Sequence, residues 1–235
     1  YYNLNNTQEK ILKFESIIKV LQDGSLDVTE RITVNAQGMQ IKRGILREFP
    51  TKYKDSYNNK YNVKFELKSV LKDGKPEQYN HVAKNNGVYI YIGNPEIYLK
   101  PNVYTYEINY TTNRQMGYFE NFDELYWNVT GNGWRLPIEH ATATVILPDN
   151  IAIDKIKFEA YTGKFGAKGQ DYQAYIADPS IHSSALSYEE HSGRANKKIS
   201  NYNGNKNFSE NEASENGDYD KIKSSNNPLV PSEIP

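Results

Sequence analysis

The chain has 235 residues, with 28 Lys+Arg against 29 Asp+Glu, so it lacks the basic excess of a nucleic-acid reader and that partner class is excluded. It holds no cysteine, which excludes a disulfide scaffold, a thiolate metal site and cysteine catalysis together. Hydrophobic residues make up 37%, below the usual globular share; either the ordered core is smaller than the chain or part of the chain stays unfolded.

Along the chain, the first signal is a pair of alternating runs, Ile18 and Val20 before Asp23-Gly24, then Leu26, Val28, Ile32 and Val34 after it. Asp-Gly between such runs predicts a β-hairpin with φ > 0 at both central residues. Tyr61, Val63, Phe65 and Leu67 alternate up to the turn Lys72-Asp73-Gly74-Lys75-Pro76, and Val88 to Ile92 is a β-branched and aromatic run. Val103 to Thr112 places Tyr104, Tyr106, Ile108 and Tyr110 on one face, and Ala141 to Leu147 is closed by Pro148. Ile151 to Tyr161 supplies a further strand, out of phase between Ile153 and Phe158 as at a bulge or bend, and Tyr172 to Ala177 a short one. About eight strands separated by turns predict an all-β fold, an antiparallel β-sandwich or barrel, with helix confined to a turn or two near residues 121–125 and 179–190.

The composition divides the chain. Residues 1–195 read as the β domain, 196–227 as a flexible insert rich in Asn, Ser, Gly and charge, and 228–235 as the start of one more strand. No apolar run approaches the roughly 20 residues of a membrane helix. Tyr1 in place of Met predicts a processed or trimmed product, one from which a leader or anchor can have been removed.

The most distinctive stretch, Tyr118 to Pro137, carries both tryptophans around Gly131-Asn132-Gly133. Tyr126, Trp127, Asn128, Trp134 and Arg135 are the candidate binding residues, because Trp and Tyr offer rigid faces to sugar rings or peptides. The same aromatics serve equally as the plug of a core around a tight turn, and the balance favours packing. Asp123 and Glu124, with Glu120, invite a glycan-hydrolase reading, which needs two carboxylates facing each other across a cleft. Adjacent strand residues point to opposite faces, so this pair reads as solvated acids. His182, Glu189, Glu190 and His191 have no metal-site spacing, and neither a GxSxG elbow nor a phosphate loop is present, so no metal, cofactor or enzymatic activity is expected. Arg47, in the run Ile41 to Pro50, is expected to pair with a neighbour of Glu48 or with a carboxylate on an adjacent strand, or else to read an acidic ligand.

Five segments in order, DGSLDVTERITV (Asp23 to Val34), GILREFP (Gly44 to Pro50), FDELYWNVTGNGWRLPI (Phe122 to Ile138), VILP (Val145 to Pro148) and YTGKFGAKG (Tyr161 to Gly169), resemble bacterial predicted membrane proteins filed as domain-of-unknown-function family two-two-zero-seven. The resemblance spans most of residues 14–169, and the segment with both tryptophans is its specific part. It implies a signal peptide ahead of Tyr1, an extracytoplasmic domain here, and membrane helices beyond Pro235. It supplies no catalytic or ligand residues. The expectation is therefore a membrane-tethered domain that binds or positions an envelope protein or glycan. The alternatives are a wall-glycan hydrolase using Asp123 and Glu124, or a spacer.

Overall fold

The computed structural model describes residues 8–54, 58–84, 86–149, 151–163, 168–176, 185–190 and 195–202, the last two spans by their backbone. In chain order the strands are β1 (Lys10–Val20), β2 (Leu26–Ala36), β3 (Ile45–Pro50), β4 (Lys52–Lys54), β5 (Lys60–Asn62) and β6 (Phe65–Lys72). These are followed by β7 (Lys75–Pro76), β8 (Tyr79–Lys84), β9 (Gly87–Ile92), β10 (Asn102–Thr112), β11 (Met116–Tyr118) and β12 (Phe122–Asn128). The set closes with β13 (Ile138–Ile146), β14 (Ile156–Thr162), β15 (Tyr172–Ile176), β16 (Ala185–Glu190) and β17 (Ala195–Tyr202). The fold is all-β, as the alternation predicts.

One layer of the sandwich is an eight-stranded sheet ordered β15-β16-β13-β1-β2-β10-β6-β7. The facing layer holds a three-stranded sheet, β3-β9-β8, and a four-stranded sheet, β11-β12-β17-β14. All pairings are antiparallel except β1 with β13, which run parallel. The core lies between the layers. Phe14, Ile18, Val28, Ile32, Tyr106, Ile108, Ala143 and Val145 come from the large sheet, and Phe49, Ile90, Leu125 and Trp127 from the facing one. Phe49 joins the layers through a ring contact with Tyr110 at 5.2 Å, and meets Trp127 of the neighbouring four-stranded sheet at 6.3 Å.

The two Asp-Gly turns differ. At Asp73-Gly74 both residues take φ > 0, 50° and 76°, and close the tight β6–β7 hairpin. In the first hairpin, Gly24 alone does so, at 74°. There the loop is longer: the Gly24 N–H reaches the Leu21 carbonyl at 2.9 Å, and the Asp23 carboxylate accepts from the Ser25 N–H at 3.0 Å. Two expected helical sites are strands, residues 122–128 in β12 and 185–190 in β16, while 179–184 lie outside the described residues. Among the described residues the one helical turn is a 3-10 turn at Ile153–Lys155, which delays the predicted strand to Ile156 and accounts for the lost phase. The boundary expected at 196 falls inside β17, whose pairing with both β12 and β14 fills the middle of a sheet. A polar sequence is admitted there because a central strand gains its main-chain hydrogen bonds on both sides whatever its side chains.

One charge pair crosses the core. Glu30 on β2 has no exposed surface, and Arg47 on β3 is 3% exposed. The Arg47 fork donates through Nε to Glu30 Oε2 at 2.7 Å and through Nη2 to Glu30 Oε1 at 2.6 Å. The Tyr110 hydroxyl donates to the same Oε1 at 2.8 Å. Arg47 thus finds its carboxylate in the opposite layer, not on an adjacent strand as the sequence suggests. Burial opposes the guanidinium charge, but the Glu30 carboxylate outweighs it and holds the Arg47 pKa above its ordinary value. Burial, then the Glu30 charge, pushes the Tyr110 hydroxyl well up, so it remains a proton donor.

At one end of the sandwich Glu9, 3% exposed, accepts four main-chain N–H bonds, from Gln37 (2.8 Å), Met39 (3.0 Å), Gln40 (2.5 Å) and Ile41 (3.1 Å). Burial alone would raise its pKa; these donors bring it below the ordinary 4.5.

Two outcomes follow from these buried charges. Arg47→Met, which strands the Glu30 carboxylate, is expected to cost about 3–5 kcal/mol in urea unfolding followed by tryptophan fluorescence. The triple variant Arg47→Met, Glu30→Leu, Tyr110→Phe is expected to regain most of that loss; a single substitution costing under about 1 kcal/mol contradicts the account. For Glu9, the folded pKa lies below the unfolded one, so its contribution is complete above about pH 4.5 and is lost as pH falls through the folded value. Glu9→Gln should flatten that acid limb of stability against pH, leaving the shares of Glu107, whose pKa the Arg31 hydrogen bond lowers, and of Asp23, whose pKa the Ser25 hydroxyl lowers.

Candidate functional site

β12 and the loop after it bring the predicted binding residues to the roof over Arg47. Trp127 and Trp134 are 5% and 8% exposed, so both indole rings lie within the sandwich. Trp134 meets Phe14 edge-to-face at 6.1 Å and donates its Nε1–H to the Thr130 carbonyl at 2.8 Å. The Trp127 Nε1 is buried and has no hydrogen-bond partner among the described residues. Tyr126 is half-buried, which raises its pKa. Asn128 turns the chain: its Oδ1 accepts from the Gly131 N–H at 3.0 Å, and its Nδ2 donates to Asn132 Oδ1 at 3.2 Å. Arg135, Asn132 and Gly133 are exposed. Of the five candidates, then, Arg135 is left open to solvent, Tyr126 and Asn128 are half-buried, and the two tryptophans are core.

Gly131 is required by the ion pair beneath it. At φ 68° it sits in the left-handed region, and a Cβ there would lie 2.4 Å from Arg47 Nη1. Glu30, Arg47 and Gly131 come from three of the five segments that carry the family resemblance, and they meet in one place.

The carboxylates separate. Glu124 is buried on β12, Asp123 points to the opposite face with its pKa raised by burial, and Glu120 is exposed. Among the described residues no group of three His, Cys, Asp or Glu could hold a metal ion. Residues 182 and 191 lie outside them.

Sequence patterning does not reveal where the exposed apolar surface lies. Of the ten large apolar residues exposed among the described residues, seven (Met39, Leu46, Tyr79, Val82, Tyr91, Ile97 and Tyr98) belong to the three-stranded sheet or the loops at its end, while Tyr118, Ile153 and Tyr175 lie elsewhere. Leu46, Tyr91 and Asn80 form one row across the outer face, and Glu48, Tyr89 and Val82 the next. β8 is the edge, exposed at every residue. The Gly93 N–H bond to the Gln78 carbonyl, 2.8 Å, sets the alternation. Asn80, Val82 and Lys84 therefore bond to β9, whereas the main-chain groups of Tyr79, His81 and Ala83 point away from it. The Tyr79 and His81 rings stack at 6.2 Å beside that edge.

These placements separate packing from recognition. Trp127→Ala and Trp134→Ala are each expected to cost about 3–5 kcal/mol in urea unfolding. Arg135→Ala should stay within about 0.5 kcal/mol.

The chain is 29% identical over 161 residues to the uncharacterized protein YciQ of Escherichia coli (strain K12), a match covering 68% of this chain and 25% of that protein. The chain therefore spans about a quarter of that relative's length. Among solved structures, a putative protease from Parabacteroides distasonis aligns with TM-score 0.49 and 9% identity over 84% of this chain and 41% of that one. A native leukotriene A4 hydrolase from Saccharomyces cerevisiae aligns with TM-score 0.46 and 9% identity over 84% of this chain and 29% of that one. At these scores no activity is carried over. Among the described residues no helix is long and apolar enough to cross a membrane, a statement that leaves β-barrels aside. Residues 10–229 match the family model described as the N-terminal domain of a predicted membrane protein (DUF2207), and the chain belongs to that family.

Proposed function

We propose that this is the extracytoplasmic domain of a membrane-anchored protein, a non-catalytic module that binds or positions another protein of the cell envelope. The observation that carries the reading is β8, a six-residue edge strand exposed on both faces, with no strand on its outer side among the described residues. An unpaired edge is a template for another extended chain. A partner segment added there would take main-chain hydrogen bonds from Tyr79, His81 and Ala83 and pack on the Tyr79 and His81 rings. The apolar rows of Leu46, Tyr91 and Val82 extend the contact around the outer face. The extracytoplasmic side rests on the signal peptide that the family resemblance implies.

The test uses the full-length protein in its cells with a photo-cross-linking residue in place of Val82. The expected result is an adduct with an envelope protein that disappears on His81→Pro. Proline is tolerated at His81 because the N–H it removes points away from β9, so the β8–β9 ladder survives while the outer edge loses a donor. No adduct at all, as a spacer would give, or an adduct indifferent to His81→Pro, sinks the reading.

A further inference from the structure

At the end of the three-stranded sheet two loops run side by side, residues 37–44 and 94–101. They are joined by a bond from the Leu99 N–H to the Lys42 carbonyl at 2.9 Å and by the Arg43 guanidinium, 4.0 Å from the centre of the Tyr98 ring. Each is fixed from below. Glu9 gathers four N–H groups of the first loop while Ile41 anchors it in the core at 2% exposure. The second is held by the Glu96 N–H on Asn94 Oδ1 at 2.8 Å and by the Tyr104 hydroxyl on the Lys100 carbonyl at 2.9 Å.

Loops so held could have turned their apolar side chains inward, yet Met39, Ile97 and Tyr98 stand 57%, 58% and 64% exposed, the most open large apolar residues of this surface. Around them Lys42, Arg43 and Lys100 are exposed, against one exposed acid, Glu96. A small apolar tip with a basic surround matches one chemistry, an anionic lipid surface. The apolar tips enter the interfacial zone, Tyr sits at headgroup depth, and each Lys or Arg gains from the surface potential. An interior-type protein contact would favour an apolar centre depleted of Lys, whereas here basic residues adjoin the apolar ones.

We infer that the paired loops 37–44 and 94–101 are a membrane-surface contact, set on anionic lipid by Met39, Ile97 and Tyr98 together with Lys42, Arg43 and Lys100. The family is one of predicted membrane proteins, so a bilayer lies within reach of the domain, and the contact orients it with this end against the headgroups. The β8 edge is thereby left to one side. The inference stands on different residues from the edge-strand reading and does not need it.

The probe is flotation of the 235-residue chain with vesicles of phosphatidylglycerol and phosphatidylcholine, compared with phosphatidylcholine alone. The chain should float with the anionic vesicles and release as salt is raised. Lys42→Ala with Arg43→Ala should lower the partition coefficient roughly 25-fold, about fivefold for each charge. Ile97→Ser with Tyr98→Ser should likewise weaken flotation, while His81→Pro should leave it unchanged. All substituted side chains are exposed, and unchanged tryptophan fluorescence certifies the fold. Failure of the unsubstituted chain to float, equal partition onto uncharged vesicles, or flotation indifferent to both loop variants overturns the inference.

Discussion

The Arg47–Glu30 pair is the constraint around which the sandwich is arranged. Two charges without water are costly, and they are retained only where every lone pair and proton has a partner. Here the fork of Arg47 donates one bond to each Glu30 oxygen, the Tyr110 hydroxyl adds a second to Oε1, and Arg47 Nη1 donates to the Glu48 carbonyl at 2.5 Å. That geometry exists only if β2 and β10 of one layer and β3 of the other stand in one register and one spacing. The pair specifies alignment in a way that the surrounding aliphatic side chains, which pack without direction, do not.

Its demands spread outward. A guanidinium beneath the β12–β13 loop leaves no room for a Cβ at residue 131, so the turn is built on glycine with Asn128 as its polar brace. Trp134 then closes over Phe14, and Arg47 itself lies 6.0 Å from the centre of the Phe14 ring. The segments that carry the family resemblance are far apart in the chain, and the ion pair joins three of them into one structural unit. The aromatic segment is distinctive because it roofs a buried charge.

The two sides of the large sheet differ in kind. On β2, Glu30 faces inward to Arg47, while its neighbour Arg31 faces outward to Glu107 at 2.7 Å, with Thr29 to Asn109 and Thr33 to Thr105 beside it. That outer face is a polar ladder already satisfied within the sheet. Among the described residues, the smaller three-stranded sheet leaves its outer face, its β8 edge and its end loops uncovered, and most of the exposed large apolar residues gather there. The proposed recognition edge therefore lies on the lesser sheet, away from the aromatic segment that draws attention in the sequence.

The sequence by itself determined the all-β class, the position of the hairpin at residues 23–24 and the turn at 73–74, because alternation and Asp-Gly turns are local facts that need no partner. It also determined the family, through residues such as Arg47, Gly131 and Trp134. It misplaced what depends on distant contacts. Polar residues 196–202 gain strand structure from two neighbours more than 30 residues away. Only the tertiary structure decided that Arg47 answers Glu30 across the core, that both tryptophans are packed rather than presented, and that β8 lies at an edge. Each is a question of which surfaces meet, and a period read along one strand carries no information about what stands opposite it.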